Sequence, residues 1–211
     1  MALIGLGIGS RVAELLQRKG IGGLDLVDFD VVMPSNLHRT CFFPQDVGKP
    51  KAFALARNLR NVAVANTVLR AFPVPAEEYF RRWKPKFDVA VCLVDDEGAR
   101  EFVSRKALEM NRPCIFGACS ADGNSCRVVV QEPGKACYGC AGGFGGSEGC
   151  GPLPAISDIQ GVLASLIVYV VDTLLMARPR CWNMRQIFLS GGDFRVNIER
   201  APNCRICGGK S

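Results

Sequence analysis

The sequence predicts an α/β fold, a Rossmann-like and mostly parallel sheet with helices on both faces, extended by antiparallel strands and a structural zinc site. Three observations predict this fold class. Apolar runs alternate with helical stretches through the first half, which is typical of a parallel sheet. The first run meets Gly5, Gly7 and Gly9 and a helix follows, as in a nucleotide-binding βαβ unit. A valine-rich segment and a Gly-Gly turn in the second half predict antiparallel strands.

The first half contains most of the regular elements. Val12, Leu15 and Leu16 recur at helical spacing, and Gly20 ends that helix. The segment 31–50 is long for a connection and is therefore expected to be functional. The predicted elements, in order, are a strand over 2–9, a helix over 10–19, a strand over 24–28, a helix over 51–59, a strand over 67–72, a strand over 87–93, a helix over 97–111 and a strand over 113–118.

The second half is predicted to be more antiparallel. It holds a strand over 126–131, a glycine-rich loop over 134–154, a helix over 156–177 and a hairpin over 186–199 around Gly191-Gly192. The helix is the most apolar segment, but it falls short of a comfortable membrane span, so a buried or interface helix is expected. No internal repeat or linker is visible, which predicts one domain over 1–211.

Composition agrees with a folded domain of ordinary type. The chain has 211 residues, 48% hydrophobic and 22% charged, enough for one buried core. The net charge of +6, from 26 basic and 20 acidic residues, suits anionic ligands such as nucleotides. Because no block of lysine or arginine occurs, we expect no nucleic-acid partner, and no membrane partner either.

Cysteine usage indicates a metal site. Two of the eleven cysteines form the pair Cys137–Cys140, and two others form Cys204–Cys207, which together are the ligand set of a structural tetrahedral zinc site. Two disulfides or one redox pair are the alternatives. Zinc is favoured because both pairs have the same spacing and both stand beside glycine. Because the glycine turn follows Met1 so closely, we expect no signal peptide and a reducing, cytoplasmic location.

The glycine turn alone does not identify a ligand. G-x-G-x-G is one residue short of the dinucleotide fingerprint and fits a plain strand-to-helix turn equally well. The residues after it are more informative, because Asn36, Arg39 and Lys51 supply an amide and two cations, and Asp95 ends a predicted strand. Two cations and a metal-holding carboxylate suit a triphosphate better than hydride transfer. Each charged residue alone could equally be a solvated surface side chain.

These residues carry a resemblance to a known family. The stretch VDFDVVMPSNLHR, followed by VGKPKA, resembles the signature of the E1-like superfamily, which includes ubiquitin-activating enzymes and the molybdopterin-synthase and thiamine-biosynthesis adenylyltransferases. The similarity continues in order through CLVDDEGAR, PGKACYGC, GPLPAISDIQGVLAS and APNCRICG, and so spans essentially the whole chain.

The resemblance implies a role for particular positions. The expected ATP-binding set comprises Gly5, Gly7, Gly9, Asp28, Asp30, Asn36, Arg39, Lys51 and Asp95. The two aspartates of the second strand would hold the ribose, the arginine, asparagine and lysine would contact the phosphates, and Asp95 would carry Mg²⁺. Arg39, Lys51 and Asp95 are the expected catalytic residues, and the two cysteine pairs would hold the family zinc.

The resemblance also implies a reaction and partners. In the family the C-terminal glycine of a ubiquitin-like or sulfur-carrier protein, ending in Gly-Gly, is adenylated by ATP, in some members with later transfer to a thiol. Residues 1–120 would form the nucleotide-binding half and 121–211 the carrier-binding half with the zinc site. Cys150, directly before Gly151-Pro152, is a candidate acceptor thiol and equally fits a thiol outside catalysis. The helix over 156–177 corresponds to a common homodimer contact.

Several features depart from the family pattern. The glycine turn is one residue short, a leading helical segment with an arginine is missing, and Asp96 stands where many relatives have asparagine, adding a charge near the metal. Two alternatives therefore remain. One is an E1-like enzyme acting on a small molecule or RNA, and the other is an inactive E1-like binding module. An NAD oxidoreductase is a weaker alternative, because it leaves Asn36, Arg39 and Lys51 unexplained.

Overall fold

The computed structural model describes residues 1–144 and 157–208, which form one eight-stranded sheet flanked by helices. The strands are β1 (Ala2–Ile4), β2 (Gly23–Val27), β3 (Val68–Phe72), β4 (Ala90–Cys92), β5 (Cys114–Cys119), β6 (Ser125–Gln131), β7 (Met184–Phe188) and β8 (Asp193–Val196). The helices are α1 (Gly9–Arg18), α2 (Lys51–Leu59), α3 (Ala76–Trp83), α4 (Glu97–Glu109) and α5 (Ser157–Leu175).

The strand order is β3-β2-β1-β4-β5-β6-β7-β8. The first five strands of this order are parallel, and β6, β7 and β8 continue the sheet in antiparallel pairing. The predicted fold class is therefore confirmed. All residues of β1 and β4 are buried, as expected for central strands covered on both faces.

Helices cover both faces of the parallel part. On one face α1, α2 and α5 pack over a large aliphatic cluster that includes Leu3, Leu26 and Ile115. On the other face α3 and α4 pack over a cluster rich in aromatic side chains, including Phe80 and Phe116. By length and composition α5 could cross a membrane, but it packs as a core helix against α1, β5 and β6. This confirms the expectation of a buried helix.

Two features of the fold differ from the sequence prediction. The first strand ends at Ile4 rather than at residue 9, because Gly5 takes a positive φ of 88° and turns the chain out of the sheet. Helix α3 was not predicted. Its short segment is bounded by Pro75 and Pro85, and it is held by burial of Tyr79, whose ring packs edge-on against that of Phe72 at 4.9 Å.

The connections locate the ligand-binding edge of the sheet. From β1 the chain crosses to β2 on one side, and it later returns to β4 on the other side of β1. In an open α/β sheet this reversal leaves a crevice outside the carboxyl ends of the two central strands, and ligands bind there. The glycine turn follows β1 and Asp95 follows β4, so both lie at this edge.

Candidate functional site

The glycine turn is shaped by a close approach to the end of β4. A Cβ on Gly5 would lie 2.7 Å from the carbonyl carbon of Leu93 and 2.8 Å from the nitrogen of Val94. A side chain is therefore excluded at Gly5. At Gly7 a Cβ would meet no heavy atom within 4 Å, so this position faces open space. Gly9 begins α1, and the dipole of a helix favours an anion at this N-terminus.

Asp28 is bound to the glycine turn. The backbone N–H of Leu6 donates to Oδ2 of Asp28 at 2.7 Å, and the N–H of Asp30 donates to Oδ1 at 2.8 Å. Burial raises the pKa of the Asp28 carboxyl above its ordinary value, although Lys51 and the two backbone hydrogen bonds oppose the shift. Each carboxylate oxygen retains a further lone pair that can accept a ribose hydroxyl.

Lys51 completes this carboxylate cluster. It is the first residue of α2, and its Nζ lies 2.7 Å from Oδ2 of Asp30 and 3.9 Å from Oδ2 of Asp28. The Lys51 side chain is 10% exposed, whereas that of Asp30 is 50% exposed. The structure thus brings three of the predicted residues together at the end of β2, although Lys51 is 21 positions from Asp30 in the chain.

The long loop 31–50 packs beside the first turn of α1. Nε of Arg11 donates to the carbonyl oxygen of Arg39 at 2.8 Å. The N–H of Cys41 donates to Oγ of Ser10 at 3.1 Å. These bonds hold the predicted phosphate-binding loop next to the glycine turn, since Ser10 and Arg11 directly follow Gly9.

The side chains of Asn36 and Arg39 form hydrogen bonds with the backbone of their own loop in this structure. Oδ1 of Asn36 accepts a hydrogen bond from the N–H of Met33 at 3.0 Å and so caps a short 3₁₀ turn, while Nη1 of Arg39 donates to the carbonyl of Ser35 at 2.9 Å. A role of either side chain at a nucleotide stays a prediction.

Asp95 and Asp96 have different environments. Asp95 is exposed and forms no ion pair within the described part of the chain. Oδ1 of Asp96 accepts a hydrogen bond from the N–H of Ala99 at 2.6 Å and caps the N-terminus of α4. Asparagine and aspartate both serve this capping role. The charge of Asp96 is directed at the helix N-terminus, where the helix dipole favours it.

The two cysteine pairs converge on one cluster. The Sγ atoms of Cys137, Cys140, Cys204 and Cys207 lie within 4.8 Å of one another, with separations of 3.7 Å (Cys137–Cys140), 3.5 Å (Cys137–Cys204) and 3.4 Å (Cys140–Cys207). Tetrahedral zinc with bonds of about 2.3 Å places its sulfur ligands about 3.8 Å apart. The shortest of these separations, 3.4 Å, is far longer than a disulfide bond of about 2.05 Å, so neither pair forms a disulfide in this structure.

The surroundings of the cluster also fit a thiolate–zinc centre. The N–H of Ile206 points to Sγ of Cys204 at 3.5 Å, and the N–H of Ala201 points to Sγ of Cys140 at 3.4 Å. Such donors stabilise thiolate ligands. A Cβ on Gly208 would lie 2.5 Å from the nitrogen of Cys204, which explains the glycine that follows the second pair. With four sulfur ligands such a site has no open position and is structural.

Two thiols outside the four-cysteine cluster, Cys150 and Cys41, are candidate nucleophiles. Cys150, the candidate acceptor, lies outside the described residues. Cys41 lies beside α1, where burial and a hydrogen bond to Glu14 raise its pKa to about 12. A thiol with so high a pKa is protonated at neutral pH and is a poor nucleophile.

A partly buried polar cluster next to Asp95 was not predicted from the sequence. It consists of Glu97, Arg100 and Tyr138, and it connects the start of α4 with the first cysteine pair. The available signal was a Glu–Arg pair spaced three apart at the start of a predicted helix, which usually indicates only a surface ion pair.

The parallel sheet, the glycine turn at its switch point and the four-cysteine cluster together define an E1-like nucleotide-binding domain. The ThiF family model matches residues 1–205, and the chain therefore belongs to the ThiF family.

Named relatives share most of this chain. It is 28% identical to the sulfur carrier protein adenylyltransferase of Thermus thermophilus, over 96% of this chain and 79% of the relative. It is 26% identical to the molybdopterin-synthase adenylyltransferase of Escherichia coli K12, over 98% of this chain and 86% of the relative. It is 29% identical to ubiquitin-like modifier-activating enzyme 5 of Oryza sativa, over 67% of this chain but 37% of that protein.

Solved structures have the same fold. A structure of Escherichia coli MccB with ATP superposes with a TM-score of 0.82 at 23% identity, over 98% of this chain and 65% of MccB. At this identity the similarity establishes the fold alone. The chain spans about two thirds of MccB and smaller fractions of some larger relatives, such as 40% of the ubiquitin transferase-like protein Cap2 of Escherichia coli.

Proposed function

We propose that this protein adenylates the C-terminal glycine of a ubiquitin-like or sulfur-carrier protein, using ATP. The convergence of the glycine turn, Asp28 and Lys51 at the switch point of the sheet is the observation that carries the proposal. The names of the relatives support it, because two of them that cover nearly all of this chain are adenylyltransferases.

The proposed reaction forms one bond and breaks one bond. An oxygen of the carrier carboxylate attacks the α-phosphorus of ATP, and the bond from that phosphorus to the β-phosphate bridging oxygen breaks, releasing pyrophosphate. Negative charge grows on the phosphates. Arg39 and Lys51 would neutralise it, and Asp28 would orient the ribose. Mg²⁺ bound at Asp95 would supply further charge neutralisation. No side-chain nucleophile is required for this step.

The antiparallel part of the sheet supports the second half of the chain as the carrier-binding half. Phe194 and Val196 stand on one face of β8, and Phe194 is 59% exposed while its ring packs edge-on against Phe188 at 5.8 Å. Arg127 and Gln186 point to the same face, since they pair in register and Gln186 pairs with Phe194. An exposed face that combines aromatic groups with polar groups is typical of a protein-binding surface.

The decisive experiment is ATP–pyrophosphate exchange with candidate carrier proteins that end in Gly-Gly. We expect exchange that requires the carrier and is absent with a carrier lacking its last glycine. Asp95→Ala should abolish exchange, while Asp96→Asn, which preserves the N-cap, should retain it. Exchange that persists in Asp95→Ala would contradict the Mg²⁺ assignment. Exchange with a small acid and no carrier would favour the small-molecule alternative.

Calorimetry separates the enzyme from an inactive binding module. Measurable binding of ATP with Mg²⁺ is expected, and its absence in the folded, zinc-loaded protein would favour the module. A cytoplasmic location is part of the proposal, because the four clustered thiols require a reducing compartment to remain metal ligands.

Thiol transfer and self-association are further parts of the proposal. Mass spectrometry after incubation with ATP and carrier would detect a covalent adduct at Cys150, and Cys150→Ser should remove it while the exposed Cys181→Ser does not. Helix α5 presents the exposed side chain of Tyr169 on its outer face, which supports a homodimer through this helix. Light scattering would show a mass of twice 22.8 kDa.

A further inference from the structure

Tyr138 lies inside the first cysteine pair, yet its hydroxyl reaches the start of α4. The residue is fully buried, and its ring packs against that of Phe116 at 4.4 Å between ring centres. Its hydroxyl donates to Oε2 of Glu97 at 2.7 Å. One rigid aromatic side chain thus connects the cysteine cluster with the helix that begins beside Asp95.

The connection continues to the turn that carries Asp95. Oε2 of Glu97 also pairs with Nη1 of Arg100 at 3.2 Å, and Nε of Arg100 donates to the carbonyl oxygen of Val94 at 2.9 Å. The Arg100 side chain is buried, so its charge depends on these partners. Because Val94 directly precedes Asp95, the guanidinium group holds the peptide bond between these two residues in place.

The Tyr138 hydroxyl also holds the backbone on the other side. It accepts a hydrogen bond from the N–H of Phe144 at 3.0 Å. The Phe144 ring lies between two guanidinium groups, with Arg100 at 4.9 Å and Arg127 at 4.6 Å from the ring centre. The hydroxyl therefore both donates a hydrogen bond, to Glu97, and accepts one, from Phe144.

We propose that Tyr138 is a positioning residue that connects the four-cysteine cluster to the Asp95 turn through Glu97 and Arg100. Removal of the hydroxyl leaves the partly buried Glu97 carboxylate without one donor and the Phe144 N–H without its acceptor. Glu97 and Arg100 then rearrange, and the Val94 carbonyl loses its fixed partner. The relevance to ATP rests on the proposed function, whereas the structural connection does not.

The test compares Tyr138→Phe with Tyr79→Phe in the zinc-loaded protein. Tyr79 is a matched control, because it is also fully buried and its hydroxyl also donates to a carboxylate, Oδ2 of Asp25 at 2.6 Å. Amide hydrogen exchange of the peptide 93–100 is the first measurement and requires no ligand. We expect about two- to thirty-fold faster exchange there in Tyr138→Phe and no change in Tyr79→Phe. Unchanged exchange in Tyr138→Phe would overturn the proposal.

A second variant keeps the test valid if Tyr138→Phe does not fold. Glu97→Gln retains an oxygen for the Tyr138 hydroxyl but removes the charge that pairs with Arg100, so faster exchange in the same peptide is again expected. Equal rates of amide hydrogen exchange in Glu97→Gln and wild type would contradict the connection between Tyr138 and the Asp95 turn.

Affinity for ATP with Mg²⁺ is the second measurement, because a merely structural role would not alter it. We expect it to fall about two- to thirty-fold in Tyr138→Phe and to be unchanged in Tyr79→Phe. Faster amide hydrogen exchange in Tyr138→Phe without a lower affinity for ATP would overturn the positioning role. A wild-type protein that binds no ATP would overturn the proposed function. The amide hydrogen exchange of peptide 93–100 would still decide whether Tyr138 and the Asp95 turn are connected.

Discussion

The ammonium nitrogen of Lys51 lies 2.7 Å from Oδ2 of Asp30. The aspartate end of this ion pair is half exposed to solvent, and the lysine end is buried. Because the Asp30 carboxylate is half exposed, water can solvate it when a phosphate oxygen takes its place beside Lys51. The pair therefore holds the cation at the switch point while leaving it available to an anionic ligand.

Replacement of Lys51 should weaken ATP binding more than it weakens the fold. In Lys51→Ala we expect the affinity for ATP to fall by about tenfold or more, because a charge-assisted hydrogen bond contributes about 1.5–3 kcal/mol. Calorimetry measures the affinity. Lys49→Ala is the control, because Lys49 is exposed in the same loop, and its affinity should match wild type. Equal losses in both variants would show that only the general positive charge matters.

Replacement of Asp28 should change the pH dependence of stability. Because the folded-state pKa of Asp28 is raised, its contribution to stability is fully present below the ordinary value of 3.8 and is lost as pH rises through the folded pKa. Relative to wild type, Asp28→Asn should therefore gain stability as pH rises above the ordinary pKa of 3.8. Urea denaturation over this range measures the difference. A difference that does not vary with pH would contradict the raised pKa.

Substitution by alanine at two glycines of the turn should affect different properties, namely the stability of the fold at Gly5 and the affinity for ATP at Gly7. Gly5→Ala should destabilise the fold by about 2–5 kcal/mol, because its φ is positive and the new methyl would meet the backbone of β4. Gly7→Ala has open space and should leave the free energy of unfolding within about 0.5 kcal/mol of wild type. Because Gly7 belongs to the turn proposed to bind ATP, a reduced ATP affinity is expected in this variant. Urea denaturation and calorimetry separate the two effects.

Loss of one cysteine ligand should release zinc and loosen the C-terminal segment. We expect Cys137→Ser to bind less than one zinc per chain and to lower Tm by at least about 5 °C, because the metal stabilises only the folded state. Elemental analysis and calorimetric melting measure these quantities. Cys181→Ser, at an exposed cysteine outside the cluster, should retain the metal and the Tm. A fully stable Cys137→Ser without metal would contradict a structural role.

The parallel half and the four cysteines of the candidate metal site were predictable because their signals are local. Apolar runs between glycines, and two C-x-x-C pairs of equal spacing, need no knowledge of distant contacts. Helix α3 was not predicted because it is only eight residues long and lies between two prolines. Its conformation is decided by the burial of Tyr79, which is a tertiary contact. The capping role of Asp96 could have been predicted, since this residue directly precedes the helix predicted over 97–111, but its charge was assigned to the metal instead.

The sequence by itself determined the order of most strands and helices along the chain, the four cysteines of the candidate metal site and the residue types at the switch point. Only the tertiary structure decided which of these side chains meet. Lys51 reaches Asp30 across 21 positions, and Tyr138 reaches Glu97 across 41. Such contacts depend on how the sheet brings separate segments to one edge, and a buried polar side chain must find its partner there. Spacing along the chain does not encode that choice of partner.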